Sequence, residues 1–381
     1  MTAAPDVPVL TDREVGLARL VSHGLVAPAD VAPEDVVRRL GAVQAQDLPG
    51  ALVAVGLRRA AGAAGLREAF DEARVVRTWP MRGTLHLVPA EELRPWLAVL
   101  GPRTAASVAA RRRALGVDEV LDAARGTALA ALRHGPQPRE RLHAAWEEAG
   151  LLGVPGRAYH LMFALHLEAT LCLGPLTGDA RDQLVVPVAD WLPVPVTGDA
   201  GPAAPGDAGP AAPGDEGVPP VVVRWLRRYL RGHGPVSLDD AARWSALPKS
   251  VVRAAAAGLD DVVAVHDRRG RELWCAPEVL EELPRAARRA AGVFLLPSFD
   301  EFVLGYGDRS HVLAEDRAAR IVPGGNGVFR PVVVAGGRIV GTWGRRRRAA
   351  GDELVLEPFE ELSPARRRAA ERAFARLPAL P

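Results

Sequence analysis

Lysine is almost missing from this chain. Lys249 is the only one among 48 Lys and Arg residues, so chemistry through a lysine Schiff base has Lys249 or the α-amino group and nothing else to use. The arginine excess accompanies richness in Ala, Gly and Pro, with 38 Gly and 33 Pro, a pattern of coding bias. Cysteine is as scarce: Cys172 and Cys275 lie far apart, outside any C-x-x-C spacing, which excludes a disulfide framework or a zinc ribbon. His160 and His166 are six residues apart and join no carboxylate or thiol cluster, so no metal site and no cofactor is expected. No unbroken apolar run approaches the ~18 residues of a membrane span. Met1 to Asp6 carries neither the basic nor the apolar region of a secretory signal. The expectation is a soluble, cytoplasmic, monomeric protein without membrane contact.

What is present is ordinary globular material: 381 residues, 48% hydrophobic, 25% charged and 5% aromatic. That suffices for two or three packed cores and argues against intrinsic disorder. The plainest boundary is Gly198 to Gly217, where GDAGPAAP occurs twice and is followed by GDEG. Pro and Gly at that density read as a linker or loop insertion.

Two similar blocks precede the linker and a third follows it, each reading as three helices and two short strands. In the first these are Asp12 to Val21, Pro33 to Arg39, a helical stretch around Val43 to Arg59, then strands Val75 to Trp79 and Gly83 to Val88. In the second they are Asp118 to Arg133, Pro138 to Ala149 and Arg157 to Glu168, then Thr170 to Leu173 and Gln183 to Pro187. The third has Val221 to Arg231, then Ser237 as the cap of Leu238 to Trp244, then Pro248 to Ala257. Val262 to His266 and Glu272 to Cys275 flank an Arg-Arg-Gly-Arg turn and read as a hairpin. Three helices closed by a hairpin are the winged-helix plan, a helix-turn-helix variant whose third helix commonly enters a DNA major groove. Beyond it, Val293 to Leu296, Arg330 to Ala335, Arg338 to Trp343 and Glu353 to Glu357 predict a small antiparallel sheet or barrel, with Gly336-Gly337 as a tight turn. Ser363 and Pro364 cap a last helix, Ala365 to Arg376.

Three stretches embed polar residues in structural surroundings: Gly41-Ala-Val-Gln-Ala-Gln46, Arg77-Thr-Trp-Pro-Met-Arg-Gly-Thr-Leu-His86 and Phe299-Asp-Glu-Phe-Val-Leu-Gly-Tyr-Gly-Asp-Arg309. Together with Asn326-Gly-Val-Phe329 and Gly337-Arg-Ile-Val-Gly-Thr-Trp343, they resemble, in order, the winged-helix DNA glycosylase family typified by AlkZ and YcaQ. The likeness runs from about Asp12 to about Glu357. It implies an α+β chain of three tandem winged-helix units, 10–100, 101–197 and 218–285, then a small antiparallel β-barrel with a terminal helix over 286–381. The linker 198–217 separates the second and third units. It also implies duplex DNA, damaged, as the partner and hydrolysis of the N-glycosidic bond of bulky or cross-linked N-alkylpurines at a site open to the groove. The family signature Gln-x-Gln falls on Gln44 and Gln46, and resembles the branch associated with self-protection more than the Gln-x-Asp branch. Asp47 stands one residue past the Asp position, and that carboxylate's role does not transfer to it.

The residues can be read independently of that likeness. An amide is no useful base near neutral pH, but its acceptor oxygen and two donor hydrogens can hold and orient a water. Alkylation at N7 or N3 makes a purine a cationic leaving group, which leaves the protein to place water and stabilise developing oxocarbenium charge. On a regular helix, residues two apart point about 200° apart. Gln44 and Gln46 meet at one water only if the helix starts, bends or ends there, with Gly41 a source of irregularity. Otherwise the pair is a solvated face or a satisfied amide.

Arg77, Arg82, Thr84 and His86 lie on strand-like spacing, with Arg82, Thr84 and His86 on one face. They suit phosphate contact, or else His86 is a satisfied core histidine and Arg77 pairs with an acid. Asp300 and Glu301 are adjacent, the wrong spacing for two-carboxylate catalysis, and read as structural, with Arg309 as an ion-pair partner. Arg309, Arg345 and Arg346 are further candidate DNA contacts, the last two in the Arg345 to Arg348 tetrad, which reads equally as a solvated run. A net charge of +2 decides nothing for DNA binding. The expectation is a polarised surface, basic where it is concave. The competing class is a non-catalytic winged-helix DNA-binding protein.

Overall fold

The computed structural model describes residues 7–192, 217–325, 327–349 and 351–381. The start of the chain, Gly198 to Glu216 of the expected linker, and Asn326 of the Asn-Gly-Val-Phe motif lie outside the described residues. The chain is α+β and divides into two compact units, residues 1–64 with 222–380, and 65–221. Among the described residues no helix is long and apolar enough to cross a membrane.

In the first unit the helix Asp12–Ser22 opens with a capping box between Thr11 and Glu14. The Pro33–Leu40 helix stops at Gly41, whose φ of +78° suits the residue that lacks a Cβ. Ser237 caps Leu238–Ser245 as expected, with Asp240 completing its box. The helices Pro220–His233, Leu238–Ser245 and Lys249–Ala256 are followed by the hairpin Val263–Asp267 and Glu272–Cys275. Asp267 organises its turn by accepting from the Arg269 and Arg271 amides at 2.8 and 2.9 Å. A strand invisible to the sequence patterns, Val9–Leu10, adds to this hairpin in parallel.

The C-terminal strands correct an expectation. Val293–Leu296, Val332–Ala335, Arg338–Arg348 and Gly351–Pro358 form an open four-stranded antiparallel sheet in the spatial order 4-3-2-1, not a closed barrel. The reason is that both faces are apolar. Leu296, Val332 and Val334 pack with Leu17, Leu20 and Phe302 on one side. Leu295, Val333 and Trp343 meet Ala370 and Phe374 of the last helix, Pro364–Ala375, on the other. A barrel would leave one face of each strand to the interior and the other to solvent; here helices cover both.

The Gly336-Gly337 turn, with φ of +61° and +81°, comes close to the first helix. A Cβ on Gly16 would stand 2.1 Å from the Gly337 carbonyl oxygen. Gly16→Ala is expected to destabilise the unit by about 3 kcal/mol, the upper range for overpacking against main chain that cannot yield. Urea unfolding checks this, and a change below about 0.5 kcal/mol contradicts the close approach.

The second unit is built on four antiparallel strands in the order Thr84–Pro89, Val75–Met81, Leu171–Leu176, Gln183–Pro187. The two strands predicted for the first block thus share a sheet with the two predicted for the second. All seven residues of Val75–Met81 are buried, because a central strand is covered on both faces. Trp79 packs edge-on to His166 at 4.7 Å and Phe163 at 5.8 Å from the helix Arg157–Leu167. The 15-residue helix Leu93–Ser107 escaped the sequence patterns because Gly101 and Pro102 punctuate its interior.

Candidate active site

The Gln-x-Gln segment is not helical. Val43–Gln44 is a two-residue strand, and the helix begins only at Leu48, with Asp47 as N-cap and a proline in the first turn. The helix expected from Val43 is therefore shorter at its start. Asp47 accepts from the Gly50 amide at 3.2 Å, the bond that defines the cap. Val43, Gln44 and Ala45 are all buried, at 1%, 8% and 0% exposure, and Gln46, in the bend before the helix, is exposed.

Both flanks of the segment are tied to the Ser298–Leu304 stretch. The Gln44 main-chain N–H donates to Glu301 Oε1 at 2.8 Å. The Ser298 hydroxyl donates to Asp47 Oδ2 at 2.6 Å. Trp244 Nε1 donates to the other Glu301 oxygen at 2.9 Å, and His233 Nε2 stands 3.7 Å from it. Asp300 receives two guanidinium hydrogen bonds from Arg58, at 2.8 and 2.9 Å, with both side chains fully buried. It also caps the short helix Glu301–Leu304 by accepting from the Phe302 amide at 2.9 Å. The partner expected for this acidic pair, Arg309, instead donates through Nε to the Val303 carbonyl at 2.7 Å.

Hydrogen-bond accounting extends the network. The Tyr306 hydroxyl donates to the His233 carbonyl at 2.7 Å, so its oxygen accepts from His23 Nε2 at 2.9 Å. His23 Nδ1 is then the acceptor for Arg58, at 3.2 Å. Burial, followed by the nearby His233 and Arg58, holds the His23 pKa well below the usual histidine range, consistent with this neutral tautomer. Sequence reasoning noticed Asp300 and Glu301 but missed Arg58, His23, His233 and Trp244. The usable signal was two adjacent acids inside the apolar frame Phe299-Asp-Glu-Phe-Val-Leu, which must find partners to be buried.

Comparison with known proteins bears on this geometry. The family model described as DNA glycosylase AlkZ-like matches residues 37–380. The chain belongs to the AlkZ-like DNA glycosylase family. A Streptomyces sahachiroi protein named interstrand DNA cross-link repair glycosylase is 27% identical over 375 residues, spanning 92% of this chain and 91% of its own. The structure of the Streptomyces sahachiroi DNA glycosylase AlkZ matches with a TM-score of 0.73 and 25% identity, covering 98% of this chain and 97% of that one.

The other residues singled out in this AlkZ-like chain are distributed over two places. Arg77 and His86 are buried in the second unit, at 4% and 0% exposure. Arg82 donates to His86 Nε2 at 3.1 Å, and Nδ1 donates to the Thr84 carbonyl at 2.9 Å. A guanidinium can only donate, which assigns His86 as a satisfied neutral ring. Arg82, in the turn at φ +55°, and Thr84 are half-buried, and the Thr84 hydroxyl oxygen is itself buried. Arg345 and Arg346 lie on the long strand Arg338–Arg348 opposite Gly351–Pro358. Arg345 sits 3.5 Å from Asp352 and over the Trp343 and Phe374 rings, and Arg346 is 4.0 Å from Glu353. Lys249 is exposed and paired with Asp239 at 2.7 Å.

His166 is buried, donates to the Met162 carbonyl at 2.8 Å, and burial lowers its pKa to about 3. Its unfolded value is near 6.5, so on acidification the unfolded chain takes up this proton first. The stabilisation is complete above about pH 6.5 and is lost as pH falls toward 3, at about 1.4 kcal/mol per pH unit. At pH 5 that is about 2 kcal/mol, or roughly 4–8 °C in the unit's Tm. Thermal scans at pH 7.5 and 5.0 should show the wild-type loss shrinking by that amount in His166→Leu. An unchanged loss would locate the acid sensitivity elsewhere.

Proposed function

We propose that this chain is a monofunctional DNA glycosylase that hydrolyses the N-glycosidic bond of N7- or N3-alkylated purines in duplex DNA, bulky and cross-linked adducts included. Gln44 and Gln46 orient the attacking water. The observation that carries this reading is that the Gln-x-Gln segment stays out of the helix, with Glu301 holding the Gln44 main-chain N–H and Ser298 holding Asp47, the cap of the helix that follows. One amide oxygen accepts a water hydrogen, the second fixes the molecule's orientation, and a water lone pair faces C1′. The cationic purine departs as the neutral base, and the proton released on C–O bond formation passes to solvent. No strong base is required, because alkylation has already weakened the bond; an unmodified purine remains inert.

The sole lysine is engaged with Asp239 on the surface, which favours hydrolysis over β-elimination. The three helices from Pro220 to Ala256 with their hairpin fit the winged-helix plan, a duplex-binding module. In this reading Arg82, Arg309, Arg345 and Arg346 supply phosphate contacts. The cross-link repair named for the Streptomyces sahachiroi relative supports extension to bulky lesions. The test is release of free base from duplexes carrying N7-methylguanine and N7 adducts of increasing bulk. Release from these and none from undamaged DNA is expected; tight binding without release identifies a non-catalytic DNA-binding protein instead.

A further inference from the structure

We propose that Glu301 is a positioning residue for this reaction, acting through the main chain of Gln44. The inference rests on the reading of Gln44 and Gln46 as the water-orienting pair. Glu301 is 1% exposed and lies 257 residues from the amide it holds. Burying a carboxylate is strongly unfavourable unless its lone pairs are met, and an apolar residue would fill the space more cheaply if packing were all that mattered. What the carboxylate supplies is acceptors on both oxygens. The Gln44 main-chain N–H reaches one at 2.8 Å and the Trp244 indole N–H the other at 2.9 Å. A neutral amide of the same shape would set its own NH2 against one of these donors. The site therefore selects the acceptor-only group over its isostere. By fixing the Gln44 peptide plane, Glu301 fixes the direction of its Cα–Cβ bond, so the side-chain amide is aimed before DNA arrives.

The experiment measures single-turnover release from an N7-methylguanine duplex, duplex affinity and Tm for Glu301→Gln, Gln44→Ala, the two combined, and Glu301→Gln with Trp244→Phe. Glu301→Gln is expected to slow release by about 10- to 100-fold with affinity within about twofold. Adding Trp244→Phe removes the opposing indole donor and leaves the new NH2 free to approach His233 Nε2. It should restore release at least about fivefold over Glu301→Gln. In the Gln44→Ala background, Glu301→Gln should cost less than about twofold more, since nothing is left to aim. Should Glu301→Gln not fold, its combination with Trp244→Phe, compared with and without Gln44→Ala, carries the same test.

Wild-type release by Glu301→Gln, or an equal loss with and without Gln44, overturns the proposal. Wild-type release by Gln44→Ala alone overturns the underlying reading, a distinguishable result.

Discussion

Gln44→Ala and Gln46→Ala are each expected to slow release of N7-methylguanine by at least about 100-fold while duplex affinity changes by less than about threefold. The magnitude follows from removing one pre-aimed hydrogen-bonding group from a reaction whose remaining barrier is mostly placement of water and stabilisation of charge. The two losses should not multiply in the double variant, because a water held by one amide is already poorly placed and the pair acts as a unit. Neither change disturbs the anchors, since Glu301 grips the Gln44 backbone and Ser298 grips Asp47. Folding and DNA binding therefore serve as internal controls. Retention of most activity by both single variants would remove the catalytic role of the pair.

Arg58→Met is expected to destabilise the first unit by about 3–5 kcal/mol, because it strands the fully buried Asp300 carboxylate without a counter-charge. It also deprives His23 Nδ1 and the Ala54 carbonyl of their donor. For a unit of this size the loss corresponds to roughly 6–20 °C in Tm. Asp300→Asn should approach the same cost from the other side, leaving the guanidinium uncompensated and the Phe302 cap weakened. The double replacement Arg58→Met with Asp300→Leu should be milder than either single change, since neither charge then remains to be paid for in a dry interior. Thermal and urea unfolding decide the matter. Single-variant losses below about 1 kcal/mol would mean that the pair is not held dry in solution.

Much of the local structure was legible because punctuation residues announced it. Ser237 marks one helix start and Gly270 a hairpin turn; alternating apolar residues mark the C-terminal strands. The helix Pro277–Ala290 was not legible, because Pro284 sits inside it and reads as a breaker when seen without the packing that sustains it. The beginning of Leu48–Leu57 was misplaced for a different reason. From Leu48 to Leu57 the chain is evenly apolar, so no helical periodicity marks where the helix takes over from the Gln-x-Gln segment.

The amino-acid sequence by itself determined the family, the Gln-x-Gln motif and the scarcity of lysine and cysteine, since these depend on which groups the chain carries and in what order. Only the tertiary structure decided that the Gln-x-Gln segment stays out of the helix and that Glu301, not a neighbour in sequence, holds the Gln44 main chain. It also decided that the C-terminal strands stay an open sheet. Each of those outcomes turns on a partner far along the chain: a buried carboxylate choosing its donors, or a helix arriving to cover a second apolar face. Such choices are made by packing and desolvation, which no local pattern records.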